Sequence, residues 1–262
     1  MRRTAERRAA FGHYDAHTHT TFSDGRNSVM ENARAAEACG LEAVVISDHV
    51  FGEVAWLDDM LAQVEAADAA CGTKVLAGAE GVILGADGAV SITEAVAGRL
   101  DFVLVDFGGL TEGIGRNPPA SQPRLIANVV SAVTKACESP LVDAIAHPLN
   151  LGRFPAVLSP VDFDASALIE MATAFEETGT AFEIMNQLPW WFPDHSVPRI
   201  TAEYADVLRL FARFGVRFVV GSDAHSCCGV GNLRWCERVM EAAGIAREQL
   251  IDVALAGERR RT

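Results

Sequence analysis

Apolar runs closed by turn residues recur along this chain at 14–16, 43–46, 74–79, 102–105, 142–146, 181–185 and 217–221, and each reads as a strand. Amphipathic stretches with helix punctuation separate them. Ser28 with Glu31 forms a capping box and Gly40 a stop, Ser91 with Glu94 forms a second box, and Gly179 ends a helix that begins near Asp164. Alternating strands and helices imply a parallel sheet, because each helical crossover returns the chain to the same edge direction. A chain of 262 residues, half of them apolar, can bury a core of barrel size. No glycine-rich phosphate fingerprint follows the first run, so a closed α/β barrel is expected in preference to an open doubly wound sheet.

The ends of these strands carry the polar residues that matter. His17-Thr18-His19, Asp48-His49, Ala146-His147-Pro148 and Ser222-Asp223-Ala224-His225 each follow an apolar run, another run leads into Glu80, and Asp24 lies just beyond the first pair. His17 and His19 leave the same face of a strand while Thr18 leaves the other, and Asp223 with His225 repeats that spacing. Ser23-Asp24-Gly25 are ordinary turn residues, yet they stand directly after His19. His147 closes a buried run, where an imidazole must be paired or ligated, and Asp48 reads as the carboxylate that orients His49. Singly, each motif has an everyday structural explanation. Gathered at one end of successive strands, they describe a shared basin for divalent cations, and the chain reads as a metallohydrolase.

Charge and composition narrow the partners. A formal net charge of −13 without a Lys/Arg-rich stripe argues against long DNA or RNA, while a small anionic substrate stays admissible because bound cations would offset the charge locally. No apolar run approaches the roughly 20 residues needed to cross a bilayer, so no membrane partner is expected. Residues 1–12 read as a loose basic arm rather than a signal peptide, and a cytoplasmic location is expected. Six cysteines without a C-x-x-C spacing suggest mostly buried thiols rather than a thiolate metal site or a disulfide framework; Cys227 and Cys228, next to the basin, are read as structural.

In order, His17-x-His19, Ser23-Asp24-Gly25, Asp48-His49, Gly78-x-Glu80, His147-Pro148 and Ser222-Asp223-x-His225 resemble the successive motifs of the polymerase and histidinol phosphatase (PHP) superfamily. The likeness runs from about Tyr14 to the last predicted helices, and 182–186 with the tail after His225 resemble its stand-alone bacterial phosphatase branch. That resemblance implies a single PHP domain over 1–262, a distorted, TIM-like (βα)7 barrel, with two or three divalent ions (Zn, Mn, Fe or Mg) at the C-terminal ends of the strands. It also implies hydrolysis of a small phosphomonoester, such as histidinol phosphate or a nucleotide, through a metal-activated hydroxide. His17, His19, Glu80 and Asp223 would hold one cation and Asp24, His49 and His225 a second, with His17, His19, Glu80, Asp223 and His225 as the catalytic set. Glu80 with His147 would hold a third. The family commonly supplies another histidine after the fourth strand; here that position falls on Gly108, and Asp106, two residues earlier on the same face, is the candidate substitute.

Substrate contacts are sought among arginines. Arg153 after His147, Arg26 beside the Ser-Asp-Gly turn, and Arg116 in the Gly- and Pro-rich stretch 113–123 could each clamp a phosphate. Trp190, Trp191 and Phe192 either wall a pocket or anchor a loop. His13 and His195 carry no assignment. Two alternatives stand beside the phosphatase: a PHP-type nuclease, against which the acidic balance argues, and a metal-binding module with little catalysis, suggested by the altered fourth strand.

Overall fold

A computed structural model describes residues 14–256; the basic arm and His13 lie outside them. The strands are β1 (Tyr14–Thr18), β2 (Ala43–Ile46), β3 (Lys74–Val82), β4 (Phe102–Asp106), β5 (Ala144–Ile145), β6 (Ala181–Met185) and β7 (Phe218–Gly221). Between and after them run α1 (Val29–Ala38), α2 (Leu57–Ala70), α3 (Glu94–Ala97), α4 (Gln122–Cys137), α5 (Ala165–Thr178), α6 (Leu188–Trp191), α7 (Val197–Arg213), α8 (Arg234–Ala243) and α9 (Val253–Ala256). The seven strands pair in chain order, every neighbour parallel. Past its last strand pair the sheet turns back on itself: the His19 N–H donates to Ala224 O at 2.9 Å, and a parallel bridge joins Thr18 to Ala224. The expected α/β TIM-like barrel is therefore formed, its seam narrow and placed at the level of the ligand-bearing residues.

Alternation along each strand divides the core into an inner and an outer layer. On β6, Phe182 points outward and packs against Phe175 of α5, Phe211 and Tyr204 of α7, and Phe218 of β7. Glu183, the next residue, is fully buried on the other face. The buried side of α7 reads Ile200, Thr201, Tyr204, Ala205, Val207, Leu208 and Phe211, an apolar stripe at helical spacing that explains why this segment forms a helix against the sheet.

Several boundaries differ from the sequence reading. β3 runs on to Val82 and β4 to Asp106, so Glu80 lies two residues inside its strand rather than at its end and Asp106 is the last residue of its own. β5 pairs over only two residues, because the backbone departs at His147, whose φ of 31° ends extended geometry. The second capping box is not formed: Thr93 caps α3 through the Val96 N–H, while Ser91 Oγ donates to Val50 O and accepts from the Val82 N–H. Two thiols, Cys137 and Cys236, are buried; Cys39 and Cys228 are exposed and Cys71 and Cys227 half-buried, against the expectation of mostly buried sulfur.

The first capping box is present as expected, with the Ser28 N–H donating to Glu31 Oε2 at 2.8 Å and the Glu31 N–H to Ser28 Oγ at 3.3 Å. It fixes the start of α1, which follows directly on the loop carrying Asp24. Ser28→Ala is expected to cost about 1 kcal/mol in denaturant unfolding with metal stoichiometry unchanged; a loss below a few tenths would show that the box does not hold the helix start.

Candidate metal centre

Five imidazoles and four carboxylates meet at the C-terminal mouth of the barrel. The innermost group is built on β1 and β7. His17 Nε2 lies 3.0 Å from His19 Nε2, 3.1 Å from Glu80 Oε2 and 3.6 Å from Asp223 Oδ1, and His19 Nε2 lies 3.4 and 3.3 Å from the same two oxygens. A tetrahedral cation with bonds of about 2.0–2.1 Å spaces its ligand atoms about 3.3–3.4 Å apart, so these separations fit one divalent ion held by the four residues. The second group lies toward solvent: Asp24 Oδ2 is 3.2 Å from His225 Nε2 and 3.6 Å from His49 Nε2, and Asp24 Oδ1 is 3.7 Å from His19 Nδ1. His19 thus turns one ring nitrogen to each group, a role beyond the single site expected of it. The third group joins Glu80, Asp106 and His147, with His147 Nε2 3.2 Å from Glu80 Oε1.

Glu80 joins the first group to the third and touches His49 of the second. It is 2% exposed, and Oε2 faces His17, His19 and His49 while Oε1 faces His147. The donor set passes a further test for metal. Among the described residues His19 Nδ1, His49 Nδ1 and Glu80 Oε1 are buried and make no hydrogen bond, although each has an opposite ligand atom within 4 Å. Buried polar atoms left without a hydrogen bond beside such partners fit ligand atoms around a cation.

Local backbone geometry explains why these segments can do this. Gly25 lets the Asp24 turn fold back on β1: a Cβ there would stand 2.5 Å from the His19 carbonyl carbon, and its N–H donates to Thr20 O. Asp48 does not orient His49 as read from the sequence. Its carboxylate accepts from the Thr20 N–H at 2.7 Å, Thr20 Oγ1 at 2.6 Å and Ser23 Oγ at 2.6 Å, so it anchors the loop that presents Asp24. His147 and Asp223 both hold positive φ, 31° and 55°, a strain tolerated by non-glycine residues chiefly where function fixes a side chain.

Two buried carboxylates escaped the sequence reading. Glu183 accepts the His17 Nδ1–H at 2.8 Å and the His147 N–H at 2.9 Å. Asp15 accepts from the Ser222 N–H at 2.8 Å and the Gly231 N–H at 2.9 Å, tying β1 to the β7 loop that carries Asp223. Both sit inside apolar strand runs, and that misplacement of charge was the available signal.

The arginines stand outside the three groups. Arg26 is exposed at the lip, its N–H donating to His225 O; Arg153 donates from Nε to Trp190 O and lays its guanidinium 3.8 Å over the Trp190 ring; Arg116 faces Glu112 of its own loop at 3.9 Å. Of the aromatics, Phe192 is buried and anchors its loop, whereas Trp190 is 59% exposed. A cleft of about 610 Å³ opens at the opposite end of the barrel, beside Asp143, Thr180 and Arg217. It contains no histidine and lies away from the strand ends where barrel chemistry is placed.

Comparison with known proteins agrees with this geometry. The PHP domain matches residues 15–112. A probable phosphatase of Syntrophotalea carbinolica is 31% identical over 251 residues, 92% of either chain, and one of Acetivibrio thermocellus is 28% identical over 256 residues, 92% of this chain and 91% of that one. Among solved structures, the histidinol phosphate phosphatase of Lactococcus lactis, crystallised with zinc, L-histidinol and phosphate, has a TM-score of 0.65 at 18% identity over 91% of this chain and 98% of that one. This chain belongs to the PHP family, and the relatives it matches over nearly its whole length are named probable phosphatases. Among the described residues, no helix is long and apolar enough to cross a membrane.

Without metal, the basin holds protons in the ions' place. Burial alone would lower His17 and His147, but the charges of Glu183 and Glu80 outweigh it, holding His17 well above its usual range and His147 at about 9. Desolvation and the Glu80 charge push Asp106 up to about 8. Both His147 and Asp106 therefore bind protons more tightly folded than unfolded. The His147 contribution to stability is complete below about 6.5 and disappears as pH rises through 9, and that of Asp106 fades from about 4 to 8. Chelator-treated protein is expected to melt at lower temperature at pH 9 than at pH 6.5, and added divalent cation to reverse the loss. A melting temperature that stays flat or rises would contradict these shifts.

Proposed function

We propose that this chain is one PHP domain acting as a metal-dependent phosphoesterase on a small phosphomonoester. The observation that carries the reading is Glu80, one buried carboxylate shared by two groups of ligand atoms and in contact with a histidine of the third. Relatives named as probable phosphatases over nearly the whole chain support the reaction class. The solved neighbour with zinc, L-histidinol and phosphate makes a phosphorylated metabolite the first substrate class to test.

In this reading His17, His19, Glu80 and Asp223 hold one cation, Asp24, His49 and His225 a second, and Glu80, His147 and Asp106 a third. Cations bound there would supply a hydroxide nucleophile near neutral pH and neutralise charge developing on the phosphoryl oxygens. The chain's own residues do the rest. Asp48 and Gly25 hold the Asp24 loop over the mouth. Asp106, rather than a histidine, completes the third group, which makes that group richer in oxygen and suits harder cations. Arg26, at the lip beside His225, and Arg153 are the substrate-binding candidates, with Arg116 farther out on its loop. No serine or cysteine nucleophile is required.

His17→Ala and Asp223→Ala are each expected to lose bound metal and to lower phosphate release from a panel of small esters by more than the 10–100-fold typical of outer partners, with far-UV circular dichroism unchanged. Full turnover by both variants would end the proposal. Arg153→Ala is expected to raise KM about tenfold at unchanged metal content, the effect of losing one charge-assisted contact to phosphate. An unchanged KM would leave Arg153 as the partner of Trp190 alone.

A further inference from the structure

We infer that Glu183 is a positioning residue that decides which ring nitrogen His17 presents to the metal centre and, with its second oxygen, seats the backbone of His147. The inference rests on the metal-dependent reading above. Glu183 lies in the middle of β6, fully buried, and no lysine or arginine among the described residues pairs with it. A carboxylate only accepts hydrogen bonds, so the 2.8 Å contact from Oε1 to His17 Nδ1 places the ring proton on Nδ1. When the ring yields its second proton to a cation, the lone pair is left on Nε2, the atom 3.0–3.6 Å from His19, Glu80 and Asp223. Oε2 accepts from the His147 N–H at 2.9 Å, at a residue whose φ of 31° needs an external tie.

The neighbouring strand is shaped around this contact. Gly221 pairs with Met185 at the end of β6 and β7, and a Cβ on it would come within 2.3 Å of Glu183 Oε1 and 2.5 Å of His17 Cβ. Any side chain there would displace the carboxylate from the ring. One carboxylate thus couples the group containing His17 to the group containing His147, which otherwise share only Glu80.

The chemistry singles out Glu183→Gln as the informative variant. A glutamine has one accepting oxygen and one donating NH2 in place of two acceptors. With its oxygen on the His147 N–H, its NH2 donates to His17 Nδ1, which moves the ring proton to Nε2 and removes that atom as a ligand. With its oxygen on His17, its NH2 opposes the His147 N–H and frees the strained turn. Either arrangement damages one of the two groups without changing the size of the side chain.

Zinc affinity measured by chelator competition, with metal-free melting and circular dichroism as controls, tests this. Glu183→Gln is expected to keep its fold and lose 10–100-fold in zinc affinity, the range found for partners behind metal-bound histidines. Long-range proton–nitrogen spectra of the zinc-loaded wild type give an independent reading: His17 should show a protonated Nδ1 and a zinc-bound Nε2. Wild-type affinity in the folded variant, or zinc on Nδ1 of His17, would overturn the role of Glu183 while leaving the metal centre in place. Failure of the wild type to bind zinc, manganese or magnesium would instead sink the metal-dependent reading and this inference together. Should Glu183→Gln fail to fold, the wild-type spectra decide alone.

Discussion

One buried carboxylate with imidazoles on every side organises this molecule. Removing an unpaired carboxylate from water is costly, and Glu80 is almost wholly removed from it. The surrounding rings of His17, His147 and His19 more than offset that cost, so that Glu80 is held well below the usual carboxylate range even though burial alone would raise it. The reverse holds on the neighbouring strand. Asp106 lacks a comparable ring of donors and is pushed up instead, with the charge of Glu80 itself contributing. The basin therefore has an internal gradient, from a carboxylate that gives up its proton readily to one that keeps it, and cations entering the site would compete with those protons.

The barrel supplies this arrangement almost without special devices. Parallel pairing in chain order places all strand ends on one side, and two-residue alternation sends His17 and His19 inward while Thr18 donates from Oγ1 to Val45 O on β2. Special devices appear where alternation is insufficient. Asp223 and His147 reach the basin through positive φ values, the Asp24 loop through the Gly25 contact and the Asp48 anchor, and the β1–β7 seam through Ala224 and Asp15. Each device ties a loop to a neighbouring strand end, so the fold and the site are stabilised by the same hydrogen bonds.

Much of this was legible in the sequence because its signals are local. Seven apolar runs marked the strands, same-face spacing marked His17 with His19, and the ends of the runs marked His49, Glu80, His147 and Asp223. Asp106 was reached through the family resemblance, as the residue two before the histidine position that falls on Gly108, and it lies beside Glu80 and His147. What the sequence concealed was partnership at long range. Asp48 lies beside His49 in the chain but bonds to the β1 loop; Ser91 stands at capping distance from Glu94 but bonds to Val50 and Val82; Glu183 contacts a ring 166 positions away. Side-chain spacing along one strand cannot report which oxygen meets which donor across a barrel. The surroundings of the arginines were hidden for a related reason, since spacing along the chain does not report that a long flexible side chain such as Arg153 takes a nearby aromatic face and carbonyl.

The central claim is that residues far apart in the chain hold cations jointly. Anomalous diffraction from crystals grown with zinc or manganese tests it most directly. Peaks should fall within coordination reach of His17, His19, Glu80 and Asp223, and between Asp24, His49 and His225, with any third peak beside Asp106 and His147. A basin empty of anomalous signal at saturating metal, or ions bound elsewhere on the molecule, would contradict the account.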